Sequence, residues 1–336
     1  MDLKTLTEIN APSGHEQAIR RFLLDELKKL GFAPVLDRMG NVVVVKESTG
    51  DAPRKRVMVS AHMDEVGLIV TSATEDGYLR IAAAGGIDPR VLVSKRVTVG
   101  EDKLPGVIGA VPIHLQSAAE RKHVLSMDEL LVDIGAKNKD EAERKAPMGT
   151  YISFDTPYVE YGDGFACGKA FDDRVGCLSL LRLLQEELPV DLVACFVSEE
   201  EVGCRGAKGA AFQQEPDVGI VLEGTTCNDL GDVPETAHVC EAGQGVTVSF
   251  MDGASIANRA LFRKALDVAK QENIPHQVKH SVSGGNDGGA IQRAREGVPV
   301  VVLSVPCRYI HSPSSVVKLS DVESQFALVK ALVKAL

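Results

Sequence analysis

Between Ser13 and Gly31 the chain reads SGHEQAIRRFLLDELKKLG, with Ile19, Leu23, Leu27 and Leu30 recurring at helical spacing among charged residues. Ser13 and Glu16 stand in capping-box spacing and Gly31 supplies a stop, so the pattern predicts an amphipathic helix from Ser13 to Gly31. Downstream, short apolar runs alternate with helical stretches: VMVSAHMDEVG, CLSLLRLLQEEL, DLVACFVSEEE, VGIVLEG, ANRALFRKALDVAKQEN and VPVVVLSVP. A strand–helix–strand rhythm of this kind predicts an α/β fold with a mainly parallel central sheet flanked by helices. From residue 69 to 160 the rhythm breaks into short β-like pieces (YLRIAAAGGI, KRVTV, GVIGAVPIHL, TYISFDTPYVEYG), with one short polar helix at NKDEAERKA. An inserted β-rich domain at 69–160, splitting an α/β domain built from 1–68 and 161–336, fits this better than two domains in series.

The bulk numbers narrow the picture. A chain of 336 residues is long for one ordinary domain, and 44% apolar with 25% charged residues describes a globular protein with ample core material. A net charge of −10 argues against nucleic acid or an anionic membrane as partner. No basic segment with an apolar stretch opens the chain and no apolar run approaches a membrane span, which predicts a cytoplasmic protein. The seven cysteines are scattered, without a C-x-x-C pair, and several sit in apolar runs, as small buried hydrophobes do.

Four apolar runs end in residues able to bind a metal: RVMVSAH in His62, LVACFVSEEE in Glu199, Glu200 and Glu201, GIVLE in Glu223, and VPVVVLSVPCRYIH in His311. In open α/β sheets the ligand crevice lies beyond the carboxyl ends of the strands, so these residues are expected to converge. Asp64, two positions after His62, is placed to hold the second ring nitrogen of a metal-bound imidazole. Asp172 and Asp173 open a helix; one serves as N-cap, which leaves Asp172 as a carboxylate able to bridge two metals. Divalent cations would make the run of glutamates tolerable, with one glutamate binding metal, its neighbour free to accept a proton from water, and Glu199 outside the ligand set. The glycine-rich SGGNDGGA lacks the pattern of a phosphate cradle, His15, His114, His123, His238, His276 and His280 lack metal spacing, and no serine or cysteine stands in a nucleophile context.

Taken in order, SAHMDEVG, GKAFDDRVG, SEEEVGCRGA, VLEGTT, GGNDGGA and RYIHSP, together with NAPSGHE, DRMGN and AGGIDPRVL, resemble the tetrahedral (TET-type) metallo-aminopeptidases, a family also called glutamyl aminopeptidase or cellulase-M-like. The resemblance spans essentially the whole chain. It implies a dinuclear-metal exopeptidase fold with a barrel-like dimerisation domain, and two divalent ions per subunit (zinc, cobalt or manganese). One ion would be held by His62, Asp172 and Glu223, the other by Asp172, Glu201 and His311, with Glu200 as general base and Asp64 supporting His62. It further implies a cis peptide bond between Asp172 and Asp173, peptide substrates with a free N-terminus, and assembly into dimers and a tetrahedral dodecamer. Many relatives carry aspartate where this chain has Glu223. Carboxypeptidase or N-acyl-amino-acid deacylase chemistry, and a non-catalytic scaffold, are the competing readings; glycan hydrolysis finds little support, since the acids read as metal ligands. The substrate pocket is expected from the loops around TTCND, GGNDGGA and RYIHS, and the preference for the first residue stays open between acidic and neutral or aliphatic, Arg308 or a lysine being what would favour the acidic.

Overall fold

The computed structural model describes residues 2–48 and 54–336. At its centre lie four parallel strands, β1 (Arg56–His62), β2 (Asp191–Val197), β3 (Val218–Thr226) and β4 (Val300–Arg308), in the order β2-β1-β3-β4. Parallel strands are covered on both faces, which is why these runs are almost continuously apolar. Their side chains alternate between two cores: Val57 and Val59 of β1 pack with the helices Gln17–Lys29, Phe171–Leu183, Arg259–Gln271 and Leu319–Lys334, while Met58 faces Ala207, Ala210 and Ile291 of the helices Arg205–Gln214 and Asp287–Gln292. The margins are antiparallel. Val42–Lys46 and Val35–Leu36 extend the sheet beyond β2; Ser315–Lys318, Phe165–Gly168 and Val159–Tyr161 extend it beyond β4. The sheet is therefore mixed; its central parallel strands carry the candidate ligands, and a side branch pairs Val246–Ser249 antiparallel with β4 and parallel with His276–Val278.

Between β1 and Val159–Tyr161 the chain forms a closed six-stranded barrel of Gly67–Ala73, Leu79–Ala84, Arg96–Val99, Leu104–Gly109, Leu131–Asp133 and Tyr151–Phe154. It has its own core, built on Leu68, Leu79, Ile108, Val132, Ile152 and Phe154. The short polar helix lies at Lys139–Lys145, with Asn138 accepting from Glu141 N–H as its cap. Among the described residues no helix is long and apolar enough to cross a membrane.

The first long helix begins later than its capping signature suggests. It runs from Gln17 to Lys29, and Leu30 is 39% exposed. Ser13 is no cap: its hydroxyl donates to Asp64 Oδ2 at 2.6 Å, and Glu16 accepts from Gly14 N–H at 2.7 Å rather than closing a reciprocal box. A contact with a residue 51 positions away has taken the side chain that local pattern assigned to the helix.

Candidate active site

The carboxyl ends of the parallel strands deliver the predicted residues to one place. His62 ends β1, Glu200 and Glu201 follow β2, Glu223 lies within β3, and His311 follows β4. Asp172 comes from the head of the helix Phe171–Leu183, whose first residues depart from helical geometry and whose Asp172–Asp173 peptide is cis. The two acids divide the work as their adjacency suggests. Asp173 accepts from Gly176 N–H at 2.9 Å, three residues on, and from His62 N–H at 3.2 Å, so it caps the helix and ties it to β1. Position 176 has to be glycine, because a Cβ there would lie 2.4 Å from the Asp173 carboxylate. Asp173 also falls within reach of His62 and Glu223 as a possible ligand, but its oxygens are already engaged by main-chain donors.

Asp172 is the spare. Its Oδ1 lies 3.2 Å from His62 Nε2 and its Oδ2 3.4 Å from His311 Nε2. Glu223 Oε2 stands 3.5 Å from the same nitrogen of His62, and Glu201 Oε2 3.2 Å from that of His311. The second ring nitrogen of His62 sits 3.1 Å from the main-chain oxygen of Asp64 and 3.4 Å from its carboxylate. That carboxylate does more than face the imidazole: it accepts from Ser13, from Glu200 N–H at 3.1 Å and from Glu201 N–H at 3.2 Å, fixing the turn that carries both glutamates. Asn41 secures the start of the same turn, accepting from Ser198 N–H at 2.9 Å and donating to Gly206 O at 3.0 Å. Glu199 points away and pairs with Arg205 at 3.1 Å. Three adjacent glutamates are thus separated by direction before any ion is considered.

The electrostatics follow from crowding. Burial pushes Glu201 up to about 8 and Glu223 up to about 7. Burial also raises Glu200 well above the carboxylate range. Burial works against the charged form of His311, yet its bond to Asp172 and the charge of Glu201 carry it up to about 9. His62 is raised in the same way, burial being outweighed by Asp172, Asp64 and Glu223. Asp172 is buried too, but the two imidazoles hold it below the usual carboxylate range. Carboxylates outnumber imidazoles in this cluster, and both imidazoles are shifted toward their charged form.

Of the remaining histidines none joins the site: His15 stacks on Tyr151, His123 and His238 pair with Glu129 and Glu241, His276 meets Ile274 O, and His114 and His280 are exposed. Residues that sequence reasoning passed over do join it. Ser13 buttresses Asp64; Cys204, read as a small hydrophobe, donates its thiol proton to Glu200 Oε1 at 3.3 Å. Asp287, within GGNDGGA, brings a fully buried carboxylate close to both Glu200 and Cys204. Glu65 is held by Lys169 at 2.8 Å and accepts from Ala11 N–H at 2.8 Å, which docks the segment bearing Ser13. Beside the acids opens a cavity of about 230 Å³ lined by Glu200, Thr226, Lys279, Ser283 and Asn286.

The profile of a family described as M42 glutamyl aminopeptidase matches residues 40–328. The chain is 33% identical to the glutamyl aminopeptidase of Lactococcus lactis, over 99% of this chain and 95% of that one. It is equally 33% identical to the lysyl aminopeptidase of Pyrococcus furiosus, over 99% and 96%. Among solved structures, the TET1 peptidase of Pyrococcus horikoshii, which can assemble into a tetrahedron or a large octahedral shell, superimposes with a TM-score of 0.87 at 32% identity, covering 99% of this chain and 98% of that one.

Proposed function

The chain belongs to the M42 glutamyl aminopeptidase family, and from that membership we propose that it removes N-terminal residues from peptides by hydrolysis at a pair of divalent cations. The observation that carries this reading is the placement of Asp172, whose two oxygens face two different histidines, each accompanied by its own glutamate. The residues fit such ions. Among the described residues Glu201 Oε1 and Glu223 Oε1 are buried without a hydrogen-bond partner, an arrangement that costs several kcal/mol unless something positive meets them. His62, Asp172 and Glu223 would hold one ion; Asp172, Glu201 and His311 the other. Glu223 reaches the His62 side with its longer side chain. Imidazole and carboxylate donors suit zinc, cobalt or manganese. When bound, the cations supply an activated water and polarise the scissile carbonyl.

Glu200 accepts a proton from the attacking water and delivers it to the leaving amine, a task suited to a carboxylate whose proton affinity burial has raised. Asp64 keeps His62 and the Glu200–Glu201 turn in register. The acid-lined end of the cavity matches the cationic α-amine of a peptide substrate, which is the basis for attack at the N-terminus rather than internally.

Lys279 sets the side-chain preference. It is only 6% exposed, its ammonium donates to Ser283 O at 3.1 Å, and among the described residues no carboxylate pairs with it. Arg308, the other candidate cation, is already taken by both oxygens of Asp229. An acidic first residue would give Lys279 its missing partner. A panel of free-amine aminoacyl and dipeptide substrates, with N-acetylated controls, tests both points on protein stripped of metal and reloaded with zinc, cobalt or manganese. Cleavage should require metal and a free amine, with kcat/KM for a glutamyl substrate about tenfold or more above a lysyl one, and Lys279→Met should level the two. Cleavage of the acetylated controls would assign the site to a deacylase, and silence with both ions bound would leave a non-catalytic scaffold.

The two parts of the chain divide along the same lines, with bounds a few residues from the 69–160 expected from the sequence: we assign the part that carries the main sheet, Val159–Tyr161 included, to catalysis, and the barrel, residues 67–154, to oligomerisation. Val107, Val111, Ile113, Leu115 and Val124, all in the second part, are 45–70% exposed, an apolar surface that association would cover. We expect a tetrahedral dodecamer like one of the forms of the Pyrococcus horikoshii peptidase. Sedimentation should then return twelve times the 35.9 kDa chain; a mass at the dimer in metal-loaded protein would rule the shell out.

A further inference from the structure

Beside the two ligand sets lies another donor cluster, of which hydrolysis uses one member. An oxygen of Glu200, the sulfur of Cys204 and an oxygen of Asp287 all lie within 4.8 Å of one another. The three are brought together by the fold. Cys204 closes the turn after Glu200, its N–H donating to Glu200 O at 2.8 Å, and Asp287 enters from the start of the helix Asp287–Gln292 on the opposite wall. Asp287 is 0% exposed, and among the described residues neither of its oxygens has a hydrogen-bond partner. Cys204 has a single proton and gives it to Glu200 Oε1. A buried carboxylate left without donors is unfavourable, and a bound cation is one of the few things that resolves it.

We propose that Glu200, Cys204 and Asp287 form a third cation site, taking a thiophilic divalent ion such as zinc or cadmium, and that its occupation inhibits the enzyme. The spacing suits a tetrahedral ion: Zn–S and Zn–O bonds of ordinary length place sulfur and oxygen about 3.5 Å apart, and Cys204 Sγ stands 3.3 Å from Glu200 Oε1. Asp64, Asp172, Glu200, Glu201, Glu223 and Asp287 converge here, six carboxyl groups against the four positive charges of two dications, so a third ion does not meet an already neutralised pocket. Binding exchanges the thiol proton, released to solvent, for a metal–sulfur bond, with no change of oxidation state. The ion then occupies the carboxylate that must accept the proton of the attacking water. This inhibition rests on Glu200 being the general base, as proposed above; the site itself does not.

Cobalt titration of the metal-stripped protein separates the two ideas, because the dinuclear ligands contain no sulfur. The first two equivalents should bring only ligand-field absorption. A third should add a thiolate-to-cobalt charge-transfer band in the near ultraviolet, absent from Cys204→Ser and weakened in Asp287→Asn. In parallel, zinc beyond two equivalents should lower wild-type activity about tenfold or more relative to its own two-equivalent value, and Cys204→Ser should lose less than twofold. Two ions bound and never a third, or a charge-transfer band that survives in Cys204→Ser, overturns the third site while leaving the dinuclear reading intact. A Cys204-dependent band with the first equivalent, and no hydrolysis at any loading, does the reverse.

Discussion

Glu200→Gln should lower kcat by about 10²–10⁴-fold, the range lost with a general base, while the protein still takes up two metal ions. Glutamine matches glutamate in shape, its carbonyl can still accept from the Cys204 thiol, and the main-chain N–H that Asp64 holds is untouched. What disappears is the capacity to take a proton from water. A loss of that size is about 3–5 kcal/mol of transition-state stabilisation at 1.36 kcal/mol per decade. Metal analysis beside steady-state kinetics decides the matter: two ions with turnover near wild type would move the proton acceptor elsewhere, and lost metal would make Glu200 a ligand instead. Asp64→Asn offers the contrast. It weakens the hold on His62 and on the turn together, so metal affinity and turnover should fall in step, by the 10–100-fold typical of a residue that orients a ligand.

How much of this was readable beforehand depended on whether a residue's role is set by its own strand or by a distant segment. His62, Glu201, Glu223 and His311 stand at the carboxyl ends of strands whose apolar runs are plain in the chain, and a parallel sheet gathers such ends along one edge. Asp172 was legible beside Asp173 because a helix start uses one acid and leaves the other. Ser13 was not, since its capping pattern is genuine locally and only the approach of Asp64 overrides it. Asn41, Cys204 and Asp287 share that difficulty. Asn41 acts through main-chain groups of residues 198 and 206, and Asp287 through proximity to a turn more than eighty positions earlier. Periodicity carries no trace of such meetings. The antiparallel margins were equally hidden, because a three- or four-residue strand such as Val159–Tyr161 leaves too few residues to show an alternation.

The protonation pattern sets up the remaining test. With the imidazoles raised and Glu201 and Glu223 pushed to about 8 and about 7, protons occupy positions that cations would take, so metal uptake near neutral pH should release protons and tighten as pH rises. Asp172 brings one oxygen to within 3.2 Å of His62 and the other to within 3.4 Å of His311, and removing its charge should therefore cost more than removing a ligand that pairs closely with one histidine. Asp172→Asn keeps the shape and can still accept from Gly224 N–H, now made at 3.0 Å, so the fold should survive. Its single neutral oxygen can serve at most one ion. We expect metal content to fall from two ions to one or none at concentrations that saturate wild type, with activity reduced by at least about 10³-fold, since the loss combines an absent ion with a displaced one. Thermal unfolding reports the same loss without relying on catalysis. An ion at a hundredfold excess over its Kd stabilises the folded state by about 2.7 kcal/mol, so wild type should gain several degrees in Tm on metal loading and Asp172→Asn markedly less. A variant that binds two ions as tightly as wild type, or gains as much in Tm, would show that Asp172 does not bridge them.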